Sequence, residues 1–194
     1  LKLLGAAAAV GIGAAAISGA RSLGHLERVG NATAAVIKST GGVAGVTAKQ
    51  VRDLAVGLEE VTTADDKLIQ EGENLLLTFT KIGKDTFPDA TRSMINMAIA
   101  MAKGDVAAAD FRATAIQIGK ALQDPIKGVT ALRKAGVTFT DQQQKEIKAL
   151  VKSGQLLKAQ KIILAELNTE FGEAGKAAGK GFEATLRRLD DAAA

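Results

Sequence analysis

The chain has 194 residues, a formal net charge of +4, 47% hydrophobic residues and 3% aromatic residues. It contains no cysteine, which excludes a disulfide framework and a thiolate metal site. Residues 1–45 carry four basic side chains against Glu27 alone, and the rest of the chain is close to neutral. A nucleic-acid footprint over the main body is therefore not indicated.

Helix-forming residues dominate the composition. Ala, Leu, Lys, Glu, Gln and Arg are frequent, only Pro88 and Pro125 interrupt them, and the chain has no Trp or Tyr. Sheet proteins instead use aromatic and β-branched residues in short alternating runs. We therefore predict an all-α protein, a multi-helix bundle of short amphipathic helices preceded by an Ala/Gly-rich apolar helix.

Changes in composition divide the chain into four segments. Residues 1–20 form the apolar helix, 21–46 a polar, Gly-punctuated helix and linker, 47–175 the helical body, and 176–194 the start of a C-terminal helix that continues further. The sequence opens on Leu1 inside an apolar run and closes on three alanines without a stop signal. We expect it to be a section of a longer polypeptide.

Residues 1–20 contain a single charge and a stripe of small side chains. Ala7, Gly11, Ala15 and Gly19 recur at every fourth position, which lets two helix backbones approach closely. One interpretation is a helix buried against other protein. The other is insertion in a membrane, because a span takes roughly 17–25 residues. A charged n-region and a clear cleavage pattern are missing, which disfavours a signal peptide.

The second segment is expected to hold one helix and then a hinge. Apolar residues from Leu26 to Ile37 recur at helical spacing, and Gly41, Gly42 and Gly45 follow. His25, the only histidine, lies in this polar region. A surface or linker histidine is a simpler interpretation than a metal ligand or a general base.

Caps mark the helix starts from Thr47 onward. The segments Thr47–Gln50 and Thr140–Gln143 have the form of capping boxes, in which a hydroxyl and an amide satisfy each other's backbone donors. The other predicted starts are Thr63–Asp66, Pro88 as a first helical residue, Asp105, and Asp124–Pro125.

Glycines mark the predicted helix ends. The helix that opens at Thr63–Asp66 is expected to run to Ile82 and to close at Gly83. A last helix is expected to begin near Phe182, after several glycines. The other predicted stops are Gly104, Gly136, Gly154 and Gly172. The short loops between these helices favour antiparallel neighbours.

We find no residue pattern for catalysis, for a cofactor or for a metal. One histidine cannot form the usual His-rich metal cluster, and adjacent acids such as Asp65 and Asp66 point in different directions on a helix. Gly11-Ile-Gly13 lacks the third glycine of a dinucleotide fingerprint. We therefore predict no enzyme activity, no cofactor and no small-molecule substrate.

A basic stripe lies in the helix after Thr140, where Lys145, Lys148 and Lys152 are three and four residues apart. A solvated helix face is the simpler interpretation, because no aromatic residues accompany the lysines for base stacking. Contact with nucleic acid or acidic lipid is the alternative.

A methionine stripe is formed by Met94, Met97 and Met101. Adaptable core packing is the default interpretation, and a promiscuous binding groove is the alternative.

A long co-linear set of residues resembles the tail tape-measure proteins of long-tailed bacteriophages. Its clearest runs extend from Leu75–Gly83 to Phe171-Gly172, and the resemblance as a whole covers roughly residues 50–175. On this basis 47–175 is interpreted as a helical tape-measure domain. The positions that carry the resemblance are, in chain order, Gly119, Lys120, Leu122, Asp124, Pro125, Gly136, Phe139, Thr140 and Gln160.

The resemblance implies a virion component in the tail lumen, present in the host cytoplasm during assembly. Implied partners are tail-tube subunits, tail assembly chaperones, tail-tip proteins and further copies of the chain, with no sequence-specific nucleic acid. Family members set tail length, and some assist DNA ejection across the host cell envelope. A continuous helix advances about 1.5 Å per residue, but breakers here recur every fifteen residues or so. We therefore expect a compact domain rather than the measuring rod itself.

A membrane-active role is the alternative function. In it, residues 1–20 insert in a host membrane and the helical body delivers them, as in a channel-forming ejection protein or a secreted pore former.

Overall fold

The structure, a computed structural model, describes residues 27–180. Within this range it is all-helical, as predicted, and contains no strand. Helix α1 covers residues 27–39, and a further helical run occupies residues 174–180. Between them lie α2 (Ala48–Thr62), α3 (Asp66–Leu76), α4 (Phe87–Met101), α5 (Phe111–Gln123), α6 (Pro125–Lys134), α7 (Asp141–Lys152) and α8 (Leu156–Phe171).

Both predicted capping boxes are confirmed. The Thr47 hydroxyl accepts from the Gln50 N–H, and the Gln50 side chain accepts from the Thr47 N–H at 2.9 Å. Thr140 and Gln143 form the same pair of bonds at the start of α7. These bonds satisfy backbone donors that the first turn of a helix leaves free, so they fix the two helix starts.

Helix α3 ends at Leu76, and the prediction that it extends to Ile82 is wrong. Residues 77–86 form turns instead, and Ile82 is fully buried among them. The N–H of Lys81 bonds to Gln123 and its carbonyl oxygen to Gln160. These tertiary bonds replace the helical ones, which is why a local pattern could not predict the early stop.

The start of α5 also differs from the prediction. Asp110, not Asp105, caps the helix by accepting from the Ala113 N–H at 2.8 Å. The Asp105 carboxylate accepts from the Ala107 N–H at 3.0 Å within a turn. The chain therefore makes one additional turn between α4 and α5 before the helix begins.

The run at 174–180 contains glycines that we predicted to precede the last helix. An added Cβ at Gly175 would lie 2.5 Å from Asn96 Oδ1, and one at Gly179 would lie 2.7 Å from the Val61 carbonyl oxygen. These glycines therefore lie within a helix and permit close packing, whereas the predicted start near Phe182 lies outside the described residues.

Several helices pack against helices that are not their neighbours along the chain. Helix α2 packs on α3, α3 on α4 and α5, α5 on α6, and α8 on α4, α6 and α7. Gly72 of α3 approaches the Phe111 carbonyl, and Phe79, just after α3, approaches Gly119. Both contacts advance in the same direction along the chain, so α3 and α5 run parallel and α4 returns between them.

One core joins all the described helices. Helix α4 is buried on nearly every side, and the core also takes in Val36 of α1 and Ala178. Each fully buried large apolar side chain contributes about 1.5–3 kcal/mol by its removal from water. The methionine stripe is split: Met94 and Met97 are core residues, whereas Met101 is 56% exposed. No helix among residues 27–180 is long and apolar enough to cross a membrane.

Candidate functional site

Most of the residues that carry the resemblance lie at two corners of the fold, one between α5 and α6 and one between α6 and α7. Gly119, Lys120 and Leu122 lie in the last turns of α5, and Asp124 and Pro125 form the corner into α6. We call residues 119–128 the α5–α6 joint. Leu122 is fully buried and Lys120 is exposed. The remaining positions, Gly136, Phe139, Thr140 and Gln160, lie in the elements that follow the joint.

Gln160 of α8 holds the joint from the inside. Its side chain is 2% exposed, and Nε2 donates to the carbonyl oxygens of Lys81 at 2.8 Å and Leu122 at 2.9 Å. The last carbonyls of a helix have no partner within the helix, and Leu122 lies in the last turn of α5. Gln160 therefore satisfies a buried acceptor that the corner would otherwise leave open.

A second glutamine completes the connection. Gln123 Oε1 accepts from the Lys81 N–H at 3.1 Å, so the two amide side chains satisfy both backbone groups of Lys81. Neither Gln123 nor Lys81 was predicted from the sequence. Lys81 lies 42 residues from Gln123 and 79 residues from Gln160 along the chain, so no local pattern connects these residues.

Two glycines let the backbones at the joint approach closely. An added Cβ at Gly119 would lie 2.2 Å from the Phe79 ring, and one at Gly128 would lie 2.3 Å from Ala121 Cα. Real Cβ atoms essentially never come so close. A side chain at position 119 would displace the ring of Phe79, and one at position 128 would collide with the backbone of α5.

The corner itself is formed by Asp124 and Pro125. Asp124 ends α5, its side chain accepts from the Lys127 N–H at 3.4 Å, and its carboxylate pairs with Lys127 Nζ at 3.4 Å. Pro125 is the first residue of α6, where its missing N–H costs no helical bond. The chain therefore changes direction without an intervening loop.

The corner between α6 and α7 uses the next three positions. Gly136 has φ +102, a conformation that L side chains rarely adopt. Phe139 is buried, and its carbonyl oxygen accepts from Gln144 Nε2 at 3.0 Å. Thr140 then caps α7. All the resemblance positions except Lys120 thus have a defined role in forming or packing a corner.

The joint leaves a small apolar cleft on the surface, of about 340 Å³. Phe79, Gly128 and Ala131 line it, and Lys120 and Lys127 stand at its rim. The two lysines and the single carboxylate of Asp124 offer no arrangement for nucleophilic or general acid–base catalysis.

Glu73 of α3 is a buried carboxyl that the sequence analysis missed. Neither of its carboxyl oxygens has a hydrogen-bond partner, and burial raises its pKa to about 9, against a smaller lowering by Thr91. The Thr91 hydroxyl donates to the Phe87 carbonyl oxygen at 3.1 Å, so it offsets the effect of burial on the Glu73 pKa only weakly. The carboxyl is therefore protonated at neutral pH, in keeping with an apolar core.

The remaining predicted features fall in three classes. Lys145, Lys148 and Lys152 are exposed on α7, which both a solvated face and a contact with nucleic acid or acidic lipid allow. Across residues 27–180 no group of three or more His, Asp or Glu could hold a metal ion. His25 and the stripe of Ala7, Gly11, Ala15 and Gly19 lie outside the described residues.

Comparison with known proteins returned no match. No family model, no curated protein and no solved structure is significantly similar to the chain.

Proposed function

We propose that the chain is a structural virion component, a folded unit within the tail tape-measure protein of a long-tailed bacteriophage or prophage. The protein would template tail assembly, set tail length and assist DNA ejection. Its place would be the tail lumen, in contact with tail-tube subunits, tail assembly chaperones and tail-tip proteins. The co-linear resemblance from Leu75 to Gly172 carries this proposal.

The packing of the positions that carry the resemblance supports the proposal. Gly119, Asp124 and Pro125 belong to the α5–α6 joint, and Gln160 bonds to the Leu122 carbonyl oxygen in the same joint. A set of residues that forms one packed feature is better support than the same residues scattered over the surface. In this proposal the unit is a structural element and not a catalyst.

A folded unit has a consequence for the measurement of length. As one continuous helix, residues 47–175 would extend about 190 Å at 1.5 Å per residue. Folded as a bundle, whose longest described helix is the 16-residue α8, the same residues span far less. We therefore propose that this unit contributes little to tail length and serves assembly by docking to other tail components.

The test is an in-frame deletion of codons 47–175 in the phage or prophage that encodes the chain, with tail length measured by electron microscopy. We expect tails that are shortened by much less than about 190 Å, or a block in tail assembly. The matched control deletes the same number of codons from a region of the same gene with uninterrupted helical periodicity, which should shorten tails in proportion. Mass spectrometry of purified tails should detect peptides from residues 47–175. Their absence from the particles, together with normal tails in the deletion, would refute the proposal.

A membrane-active role is the second candidate, and one observation favours it: residues 1–20 contain a single charge. Leakage of dye from liposomes by the full chain, lost in Gly11→Asp with Ala15→Asp, would support insertion. Absence of leakage, or leakage unaffected by the two substitutions, would count against it.

A further inference from the structure

Two segments of the described chain carry uncompensated charge of opposite sign. Residues 59–66 contain four carboxylates and no basic residue, and residues 148–161 contain four lysines and no carboxylate. We call them the acidic end and the basic end. The acidic end comprises Glu59, Glu60, Asp65 and Asp66, and the basic end comprises Lys148, Lys152, Lys158 and Lys161.

None of these eight side chains forms an ion pair within residues 27–180. All four lysines are exposed, as are Glu60 and Asp65, and the other two carboxylates are half-buried. Lys158 Nζ donates a hydrogen bond to the uncharged Gln155 Oε1 at 2.7 Å. Asp65 caps α3 by accepting from the Lys67 N–H at 2.9 Å. Both ends therefore present charge that forms no ion pair among the described residues.

The two charged ends lie at opposite ends of α8. Gly175, just beyond the C-terminus of α8, approaches Thr62, which lies between the carboxylates of the acidic end. The turn that joins α7 to α8 lies at the other end of the same helix. Lys158 and Lys161 lie in the first two turns of α8, so about 15 Å of helix separates the nearer of them, Lys161, from the helix end at Phe171. The two ends are therefore too far apart to neutralise each other within one molecule.

Each end also exposes large aliphatic side chains among its charges. Val61 is 52% exposed within the acidic end and Leu68 is 48% exposed just after it, whereas Leu157 is 41% exposed within the basic end. Protein interfaces combine apolar contact with a charged rim, and complementary potentials favour the correct pairing. A polyphosphate would use the lysines but not Leu157, and it could not use the acidic end.

We propose that copies of this chain associate head to tail, with the acidic end of one copy against the basic end of the next. Such a contact is heterologous, so each dimer keeps one free acidic end and one free basic end and can extend. The inference rests on charge, exposure and the position of α8, and it holds whether or not the tape-measure proposal is correct.

The test is sedimentation of the full 194-residue chain at low ionic strength and at about 1 M salt, where the Debye length is about 3 Å. We expect species that grow with protein concentration at low salt and dissociate at high salt. A chain that stays monomeric at low salt would overturn the proposal, as would association that salt does not weaken.

Two variants with neutralised side chains test whether the contact joins the acidic end of one copy to the basic end of the next. Glu59→Gln with Glu60→Gln removes charge from the acidic end, and Lys148→Gln with Lys152→Gln removes it from the basic end. Each variant alone should lose the larger species. Their mixture should form dimers that do not extend, because only one complementary pair of ends remains. Lys38→Gln with Lys103→Gln, two exposed lysines elsewhere, should associate like the unmodified chain.

Other outcomes identify other partners. Salt-dependent binding of duplex DNA that is lost in the basic-end variant, without any self-association, would assign the basic end to a polyanion and refute the proposal. Self-association that is equally strong in both variants would also refute it, because the contact would then lie outside the two ends.

Discussion

The side chain of Gln160 donates a hydrogen bond at 2.9 Å to the carbonyl oxygen of Leu122, which lies 38 residues earlier in the chain. This bond connects α8 to the last turn of α5, and the same Nε2 also binds the Lys81 carbonyl. A single buried amide therefore holds together three segments: the turns after α3, the end of α5 and the first half of α8.

Replacement of Gln160 should test this connection. Gln160→Met keeps the approximate shape of the side chain but removes the donor from the buried Leu122 carbonyl oxygen and from the part-buried Lys81 carbonyl oxygen. A buried group left unsatisfied costs about 1–3 kcal/mol. We expect a loss of unfolding free energy of that order or larger, measured by urea denaturation. The control is Gln142→Met on the exposed face of α7, with an expected change within about 0.5 kcal/mol. Equal effects of the two substitutions would contradict the assigned role.

Gly119 and Gly57 should respond to alanine in opposite ways. Gly119→Ala forces a Cβ into the Phe79 ring, and such overpacking costs about 1–3 kcal/mol. Gly57 is an exposed residue of α2 with no atom within 4 Å of the added Cβ, so Gly57→Ala should stabilise the protein by about 0.5–1 kcal/mol. Thermal and urea denaturation measure both changes.

Phe79→Leu provides the matching partner for Gly119→Ala. If the ring is the obstacle, the double variant should lose less unfolding free energy than the sum of the two single variants. Strict additivity would show that the cost at position 119 arises elsewhere.

The buried carboxyl of Glu73 should make stability fall as pH rises. Its pKa is about 9 in the folded protein against 4.5 when exposed, so between these values the unfolded chain binds fewer protons than the folded one. The contribution of Glu73 to the free energy of unfolding is therefore largest below about pH 4.5. It decreases up to about pH 9, by up to about 1.4 kcal/mol per pH unit. Glu73→Gln should remove this slope in urea denaturation at pH 5, 7 and 8.5. An unchanged slope in the variant would assign the pH dependence to other groups.

Thr140→Ala should loosen the start of α7. The substitution removes the hydroxyl that accepts from the Gln143 N–H, and the loss of an N-cap costs about 0.5–2 kcal/mol. Hydrogen exchange should show the greatest loss of protection in the first turn of α7. Thr138→Ala, at an exposed position two residues earlier, is the control and should leave exchange in α7 unchanged.

Local signals were sufficient for much of the fold. The capping boxes at Thr47 and Thr140 were predicted at the correct residues, because both partners of each bond lie three positions apart. The corner at Asp124–Pro125 was predicted for the same reason: a cap and a fixed φ act within one turn. At the end of α3 the fold depends on the distant residues Gln123 and Gln160, and the helix end predicted from local signals was wrong there.

In the candidate site, too, contacts between distant residues could not be predicted from local signals. Gly119 and Gln160 were identified only through the resemblance, and their chemical roles were not. The contact of Gly119 with Phe79 spans 40 residues, and the bond of Gln160 to Lys81 spans 79. Glu73 was missed altogether, because an acidic residue on an amphipathic helix is normally solvated.

The amino-acid sequence by itself therefore determined that the described chain is helical and where most of its helices begin. Those properties depend on hydrogen bonds and side-chain preferences within about four residues. Only the tertiary structure decided that α3 and α5 run parallel, that Gln160 and Glu73 are buried, and that Gly175 and Gly179 pack rather than break a helix. Each of these depends on which distant surface covers a residue, and that is set by the packing of the whole core.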